Sequence, residues 1–345
     1  MLKPLSPKTL EKKYAELGLP KEKNDLLHTF FTCCANLYGV ISLRDAWNVF
    51  KHYEGTYVHK KDFVAFSGIV QREAGHTYSV LELKEIYSGE NTDDPLERMI
   101  VNNKLILSRY HRFILVYATV ERQGVKPYYM PDKLTLLSFV EDRFYQTESG
   151  KKIKAFIDNL KSDGQQRDYM GNPTGTISDV NGLPVKGKKL SEFTIYTSSE
   201  RYEIEQAKTE AKKQRLIDEY KIPSSEKILN RIFEYIMTGG VLRNESLADE
   251  LQFLTKEMNV DFGIVLSIKQ VRQFTELFVC LNNSSNLWLN CGWSPEDLSG
   301  RASLDKPKFL SVGPNMKKLF ETGELDREDF ERQLREEGIE LIEDV

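Results

Sequence analysis

Long apolar runs are missing from this chain of 345 residues. None reaches the roughly 20 residues that a membrane-crossing helix needs. The first residues, MLKPLSPKTLEKKYAEL, carry no apolar core and no small-residue cleavage site. No signal peptide is therefore expected, and the cytoplasm is the expected compartment. Cysteine is scarce: Cys33, Cys34, Cys280 and Cys291 show no paired metal-ligand spacing and are expected as reduced core thiols. The five histidines, His28, His52, His59, His76 and His111, form neither His-x-x-x-His nor His-Glu-x-x-His. The nearest grouping along the chain, Cys33 and Cys34 with His28 and His52, reads as chance, and no metal site is expected. Charge of one sign is also in short supply. A net charge of −4 leaves no global basic field for nucleic acid. No Gly-x-Ser-x-Gly elbow occurs, and Gly171, Gly175 and Gly182 form neither a phosphate loop nor a dinucleotide fingerprint. Cys291, beside Gly292 and Trp293, is the one cysteine weighed as a nucleophile, and it needs a base that only the fold can bring. The pairs Asp93-Asp94 and Glu141-Asp142 read as turn and surface charge. No cofactor is expected, and a non-enzymatic protein is.

What is present, 40% apolar and 29% charged residues, suits a globular protein. The length predicts two or three domains. The most distinctive stretch is 268–299. Val271, Phe274, Leu277, Phe278 and Leu281 recur at helical spacing as one buried stripe. Asn282-Asn283-Ser284-Ser285-Asn286 is expected to end that helix, because short polar side chains compete for nearby backbone groups. A turn then sets Trp288 and Trp293 around Cys291 and Gly292. Ser294 reads as an N-cap, with Pro295 at the first helical position and Glu296 and Asp297 at the positive end of the dipole. Two readings of this stretch stand. In one, the indoles wedge a helix junction. In the other, Asn282, Asn283, Asn286, Trp288 and Trp293 bind a protein or peptide partner, amides reading it and indoles stacking on it. The second reading requires an exposed groove and fails if both indoles are buried with their N–H groups satisfied internally.

Along the chain five segments separate. Residues 1–107 are expected to form a winged-helix-like domain. A loose or briefly helical start leads to a face of Leu27, Phe30, Phe31, Cys34, Leu37 and Tyr38. After Gly39, Ser42 and Asp45 have capping-box form ahead of Ala46, Val49, Phe50 and Tyr53. A third helix is expected over 60–74 with Phe63, Phe66 and Val70 inward. Strands follow over 76–87 and 99–106, joined by a polar turn at 89–95. In a winged helix the third helix often enters the major groove, where Lys60, Lys61, Gln71 and Arg72 would be nucleic-acid-binding. Residues 1–75 hold 11 Lys or Arg against 8 Asp or Glu, a thin excess. Residues 108–161 read as a helical connector, with helices over 108–123 and from Asp132 to Phe144. Tyr128 and Tyr129 lie between two prolines as interhelical packing or a small exposed patch. Residues 162–200, rich in Gly, Asn and Pro, read as a flexible loop or a hairpin turned at Asn181-Gly182, and as the domain boundary. Residues 201–300 form a helical domain. It opens with a charged helix over 198–220, followed by one started by Pro223 and Ser224 and ended by Gly239 and Gly240. Residues 301–345, with 8 Lys or Arg against 12 Asp or Glu, read as an acidic helical tail that ends in a strand or docking segment at Ile339, Leu341 and Ile342.

The phrases Asn282-Asn283-Ser284-Ser285-Asn286-Leu287-Trp288 and Gly292-Trp293-Ser294-Pro295-Glu296-Asp297-Leu298 resemble a group of uncharacterised helical proteins of Gram-positive bacteria. In that group Asn-Asn-(Ser/Thr)-x-x-(Leu/Met)-Trp precedes Gly-(His/Trp)-(Thr/Ser)-Pro-x-(Glu/Asp)-Leu. Leu37-Tyr38-Gly39-Val40-Ile41-Ser42 and Lys126-Pro127-Tyr128-Tyr129-Met130-Pro131 match its cadence, so the likeness spans most of the chain outside 162–220. Many members end in a Cys-rich zinc element, the SEC-C motif. This chain departs there, since no cysteine follows Cys291. The resemblance implies a helical bacterial protein and transfers no activity.

The sequence thus predicts a mainly α protein with few short strands, an N-terminal winged-helix-like domain and a multi-helix C-terminal domain. Its expected function is that of a cytoplasmic protein-interaction module. The alternative is a nucleic-acid-binding regulator. No membrane partner is expected.

Overall fold

The structure, a computed structural model, describes residues 3–87, 94–107, 112–141, 143–239, 246–304, 309–312, 320, 326–327, 330–332 and 340–343. The chain is mainly helical, and residues 1–295 form one compact unit while 296–345 form a second.

The first unit opens with α1 (Pro7–Leu17), whose N-terminus is closed by the Ser6 hydroxyl accepting from Thr9 N–H. Next come α2 (Lys21–Tyr38), β1 (Val40–Ser42), α3 (Leu43–Glu54), α4 (Lys60–Val70) and β2 (Tyr78–Leu81). A single helical turn, α5 (Leu83–Ile86), and β3 (Met99–Asn102) complete this part. The three strands form an antiparallel sheet ordered β1-β3-β2, with Val40 opposite Val101 and Val80 opposite Ile100. The expected Ser42 cap is present: its hydroxyl accepts from Asp45 N–H at 3.0 Å. The strands are shorter than the sequence suggests. Leu83 to Ile86 turn helical under a Glu82/Glu85 capping box, and residues 88–93 of the expected turn lie outside the described residues. Phe30, Phe31, Phe50, Phe63 and Phe66 interlock edge to face beneath the sheet as the first core.

The chain continues through α6 (Ile114–Gln123), α7 (Lys133–Ser138) and α8 (Glu148–Asp158), then β4 (Gln165–Arg167) and β5 (Pro173–Thr176). After these come α9 (Ser198–Glu205), α10 (Glu210–Tyr220), α11 (Ser224–Thr238), α12 (Leu247–Phe262), α13 (Ile268–Ser284) and α14 (Pro295–Leu304). Residues 108–111 at the expected start of α6, and Gly240, lie outside the described residues. The helix expected to run from Asp132 to Phe144 stops at Ser138, and the charged helix expected over 198–220 is two helices, α9 and α10. The expected flexible boundary at 162–200 is corrected. Ile177, Val185, Leu190, Phe193 and Ile195 are buried in the second core, β4 pairs with β5, and a turn closes at Asn181-Gly182 with Gly182 N–H on Asp179 O. Five apolar residues spaced among turn formers are enough to anchor the segment, since each buried side chain contributes about 1.5–3 kcal/mol. The boundaries at 107 and 161 likewise separate no bodies. Val40, Leu81, Met99, Val101 and Leu105 from the sheet side share that core with α8, α11, α12 and α13.

In the second unit, β6 (Phe309–Val312) pairs in parallel with β7 (Glu340–Glu343), which accounts for the strand expected at the end of the chain. The expected tail helices fall mostly outside the described residues. Among the described residues no helix is long and apolar enough to cross a membrane.

One buried charge cluster sits among α9, α11 and α12. Lys227 Nζ meets Glu200 Oε2 at 2.6 Å, and Arg231 Nε lies 3.8 Å from Glu250 Oε1. Glu257 Oε2 is sealed from solvent with no hydrogen-bond partner. Burial pushes the Glu257 carboxyl up from 4.5 to about 7; Arg231 opposes this, while Asp261, Glu250 and Glu200 add to it. The folded chain then holds a proton that the unfolded chain releases. This stabilisation, on the order of 3 kcal/mol, is complete below the unfolded value and is lost as pH rises through about 7. Urea unfolding at pH 5 and pH 8 should show the native chain losing stability at the higher pH by more than Glu257→Gln does. Equal losses in the two proteins would refute the assignment.

Candidate functional site

The end of α2 and the turn after α13 meet at one point. α13 is longer than expected: Asn282, Asn283 and Ser284 lie in its last turn, and Ser285 caps it. A 3-10 turn, Trp288–Asn290, follows, and Cys291 adopts a left-handed conformation at φ 51°. Trp288 is 1% exposed, and its Nε1–H donates to the Asn36 carbonyl at 2.9 Å. Trp293 is 8% exposed, and its Nε1–H donates to the Pro127 carbonyl at 2.9 Å. The exposed groove required for partner docking on the two indoles is therefore not there. Asn282 and Asn283 stand at the surface of α13, Asn282 Nδ2 reaching only Asn283 Oδ1, at 3.4 Å. Asn286 is turned inward, and its Nδ2 donates to the Gly292 carbonyl at 2.7 Å. The amides and indoles were expected on one face. A left-handed residue and a 3-10 turn cannot be read from helical spacing, and they place the residues on different sides.

The turn is held from three directions. Gln123, 4% exposed at the end of α6, sets its side-chain NH2 within 2.9 Å of Tyr38 O, 3.1 Å of Val40 O and 2.9 Å of Trp288 O. Two hydrogens serve three carbonyls, so one is shared. The segment 127–131 straps the outside: Tyr129 N–H donates to Cys291 O, the Tyr38 hydroxyl donates to Tyr129 O, and the Tyr129 ring tilts against Trp293. Tyr128 and Tyr129 thus serve packing. The Cys291 thiol is pushed up to about 11 by burial, which removes it as a nucleophile at neutral pH. Burial likewise raises Cys33 to about 12 and Cys34 well above its ordinary value. Of the expected core thiols only Cys280 is exposed.

Beside Trp288 opens a cavity of about 150 Å³, lined by Asn36, Asn102, Lys104, Arg143, Asn286, Phe233 and Trp288 among others. The Asn102 amide donates to Asn36 Oδ1 at 2.9 Å, and Asn36 Nδ2 donates to Phe139 O at 2.8 Å, so both amides are oriented. Lys104 Nζ stands 3.8 Å over the Phe233 ring, and the Arg143 guanidinium donates to the Ser138 hydroxyl. Among the described residues that line the cavity there is no carboxylate. Asn286 and Trp288 were legible as site residues. Lys104, Arg143, Asn36 and Asn102 were not, because they come from three distant segments that carry no common pattern.

The nucleic-acid face is divided. Lys60 and Lys61 are exposed at the start of α4. Gln71 Nε2 donates to Glu82 Oε1 at 3.2 Å, and Arg72 Nε reaches Lys3 O at 3.4 Å. α1 lies along α4, with the Tyr14 ring against Phe66 and Leu5 N–H on Arg72 O. Gln71 and Arg72 thus each make a hydrogen bond within the chain, while Lys60 and Lys61 face solvent.

The histidines also depart from expectation. Among the described residues, the one group with metal-ligand convergence is His28, Glu73 and His76, and Cys33, Cys34 and His52 are not part of it. Burial, and then the neighbouring His76, lowers the His28 imidazole below its ordinary value. The two imidazoles stand 48 positions apart in the sequence, and no local spacing announces them.

Gly39 tests how tightly the turn is held. It has φ +71°, and a Cβ there would fall 2.5 Å from Trp288 Cγ. Gly18 has nearly the same φ, +70°, but ψ 12° against −54° at Gly39, and nothing within 4 Å. Gly18→Ala should cost about 1 kcal/mol from the left-handed backbone alone. Gly39→Ala should cost about 1–3 kcal/mol more, from overpacking against the indole together with a ψ of −54° that lies outside the left-handed helical region. Denaturant midpoints that fall equally in both variants would contradict the close approach.

Comparison with family models, with curated proteins and with solved structures finds no match for this chain.

Proposed function

We propose that this chain is a non-enzymatic binding protein for a small anion that carries a planar apolar group. The observation that carries the reading is the cavity beside Trp288: two cations, oriented amides and aromatic walls, with no carboxylate among its described lining residues. A cavity near 150 Å³ admits about one benzene-sized ring. The ring would lie against Phe233 and Trp288. Its carboxylate or comparable anionic group would be met by Lys104 and Arg143, as in pockets that fix an apolar body with a few polar groups. The partner-binding idea thus moves from the outside of the Asn/Trp turn to its inner side, where Asn286 and Trp288 remain part of it.

The order helix, strand, helix, helix, strand, helical turn, strand over α2 to β3, with sheet order β1-β3-β2, supports a winged-helix-like reading of this part. We read it as a frame rather than as a nucleic-acid reader, because Gln71 and Arg72 are engaged and α1 lies along α4.

Calorimetric titration with a panel of benzene and heteroaromatic monocarboxylates should find at least one that binds with 1:1 stoichiometry. Arg143→Gln and Lys104→Gln should each weaken it by about 10-fold or more, the worth of one charge-assisted hydrogen bond. Absence of binding across the panel, or affinity indifferent to both variants, would sink the reading. A duplex oligonucleotide at low salt should give no signal. Salt-sensitive binding that Lys60→Glu with Lys61→Glu abolishes would reinstate the regulator.

A further inference from the structure

We propose that His28, Glu73 and His76, closed by Tyr14, bind one divalent transition-metal ion of the zinc type. Three parts of the fold meet here: α1 supplies Tyr14, α2 supplies His28, and the connector from α4 to β2 supplies Glu73 and His76. The three donor atoms all lie within 4.8 Å of one another. His28 Nε2 is 3.8 Å and His76 Nε2 is 3.5 Å from the same Glu73 oxygen. Tetrahedral coordination with bonds of about 2.0–2.1 Å places neighbouring donors about 3.4 Å apart, so the two edges to Glu73 need to close by only a few tenths of an ångström, while the widest separation in the set, up to 4.8 Å, must close further. The Tyr14 hydroxyl, 3.0 Å from His28 Nε2 and hydrogen-bonded to Glu73 Oε2, offers a fourth oxygen.

Two further features point to a ligand. His76 Nε2 is buried and faces the Glu73 carboxylate at 3.5 Å, too far for a well-formed hydrogen bond. A buried nitrogen held only by so long a contact is poorly satisfied, and an ion would use its lone pair. His28 has the outer support that metal-bound imidazoles carry: its Nδ1 lies 2.9 Å from the Tyr78 hydroxyl, so a proton on Nδ1 leaves Nε2 facing the cluster. The ring is fixed on both sides, stacked on His76 at 4.6 Å and edge-on to Phe66 at 4.8 Å. Two imidazoles and one carboxylate suit zinc and its neighbours and are a poor set for magnesium or calcium. The side chains of His28, Glu73 and His76 are 18–25% exposed, which leaves a route in. Bound there, the ion would pin α1 to the three-stranded part of the fold. This inference is independent of the anion cavity.

The test uses the full chain, stripped by chelator and titrated with Co²⁺ and then Zn²⁺. One equivalent of Co²⁺ should produce visible ligand-field bands that one equivalent of Zn²⁺ bleaches. In the native chain, Zn²⁺ should shift the imidazole ring NMR signals of His28 and His76 and leave those of His52 and His59 in place; this readout needs no variant. His76→Ala and Glu73→Gln, each checked for native circular dichroism, should bind at least 10-fold more weakly, and His52→Ala should bind as the native chain does. No cobalt bands, no shift of His28 and His76, or undiminished binding in folded His76→Ala would each overturn the assignment and leave an internal hydrogen-bond network.

Discussion

A single indole, Trp288, fixes how the two cores of the first unit meet. It lies over Gly39, where no Cβ fits, and donates to the Asn36 carbonyl at the end of α2. Its own carbonyl is taken by Gln123, which also holds Tyr38 and Val40. The donors involved are buried, so each bond avoids the 1–3 kcal/mol that an orphaned buried group costs. Four segments therefore meet at one turn: the end of α2, the start of β1, the end of α6 and the residues after α13. The left-handed Cys291 and the strap over it follow from that geometry, because the chain must reverse within a few residues to bring Trp293 under Pro127.

The same turn shapes the cavity. With Trp288 locked as one wall and Phe233 set against it at 5.7 Å, the space between α11 and the α7 to α8 region stays open. The oriented amides of Asn36 and Asn102 and the two cations line what is left. A ligand in this position would touch both halves of the unit at once. An anion bound there, as proposed, would couple to the packing of the joint through one side chain.

The sequence was most legible where local physics decides. The caps at Ser42 and Asp132, the inward stripe of α11 and the Gly239 stop are visible as spacing and residue type. The helical class follows from the same periodicities. The reading failed where sparse long-range contacts outweigh local composition. Residues 162–200 look like a loop because Gly, Asn and Pro dominate, yet five apolar side chains tie them to the second core. Asn282 and Asn283 look like a helix stop, yet α13 runs on to Ser284. Of the site, Asn286 and Trp288 were legible because they sit in one distinctive phrase. Lys104 and Arg143, and the pairing of His28 with His76, arise only when distant segments fold together, and a one-dimensional pattern carries no trace of that.

Hydrogen exchange at the indole nitrogens tests the claim about Trp288 most directly. The chain has three tryptophans, and the Nε1–H signals of Trp288 and Trp293 can be followed separately in a nitrogen-15 spectrum. Both are bonded to backbone carbonyls and buried. If Trp288 holds the two cores together, its indole N–H exchanges only when the whole unit unfolds, with protection equal to the global stability from denaturant unfolding. Exchange of the Trp288 N–H far faster than global unfolding would show that the turn opens by itself, and that the fold does not depend on it.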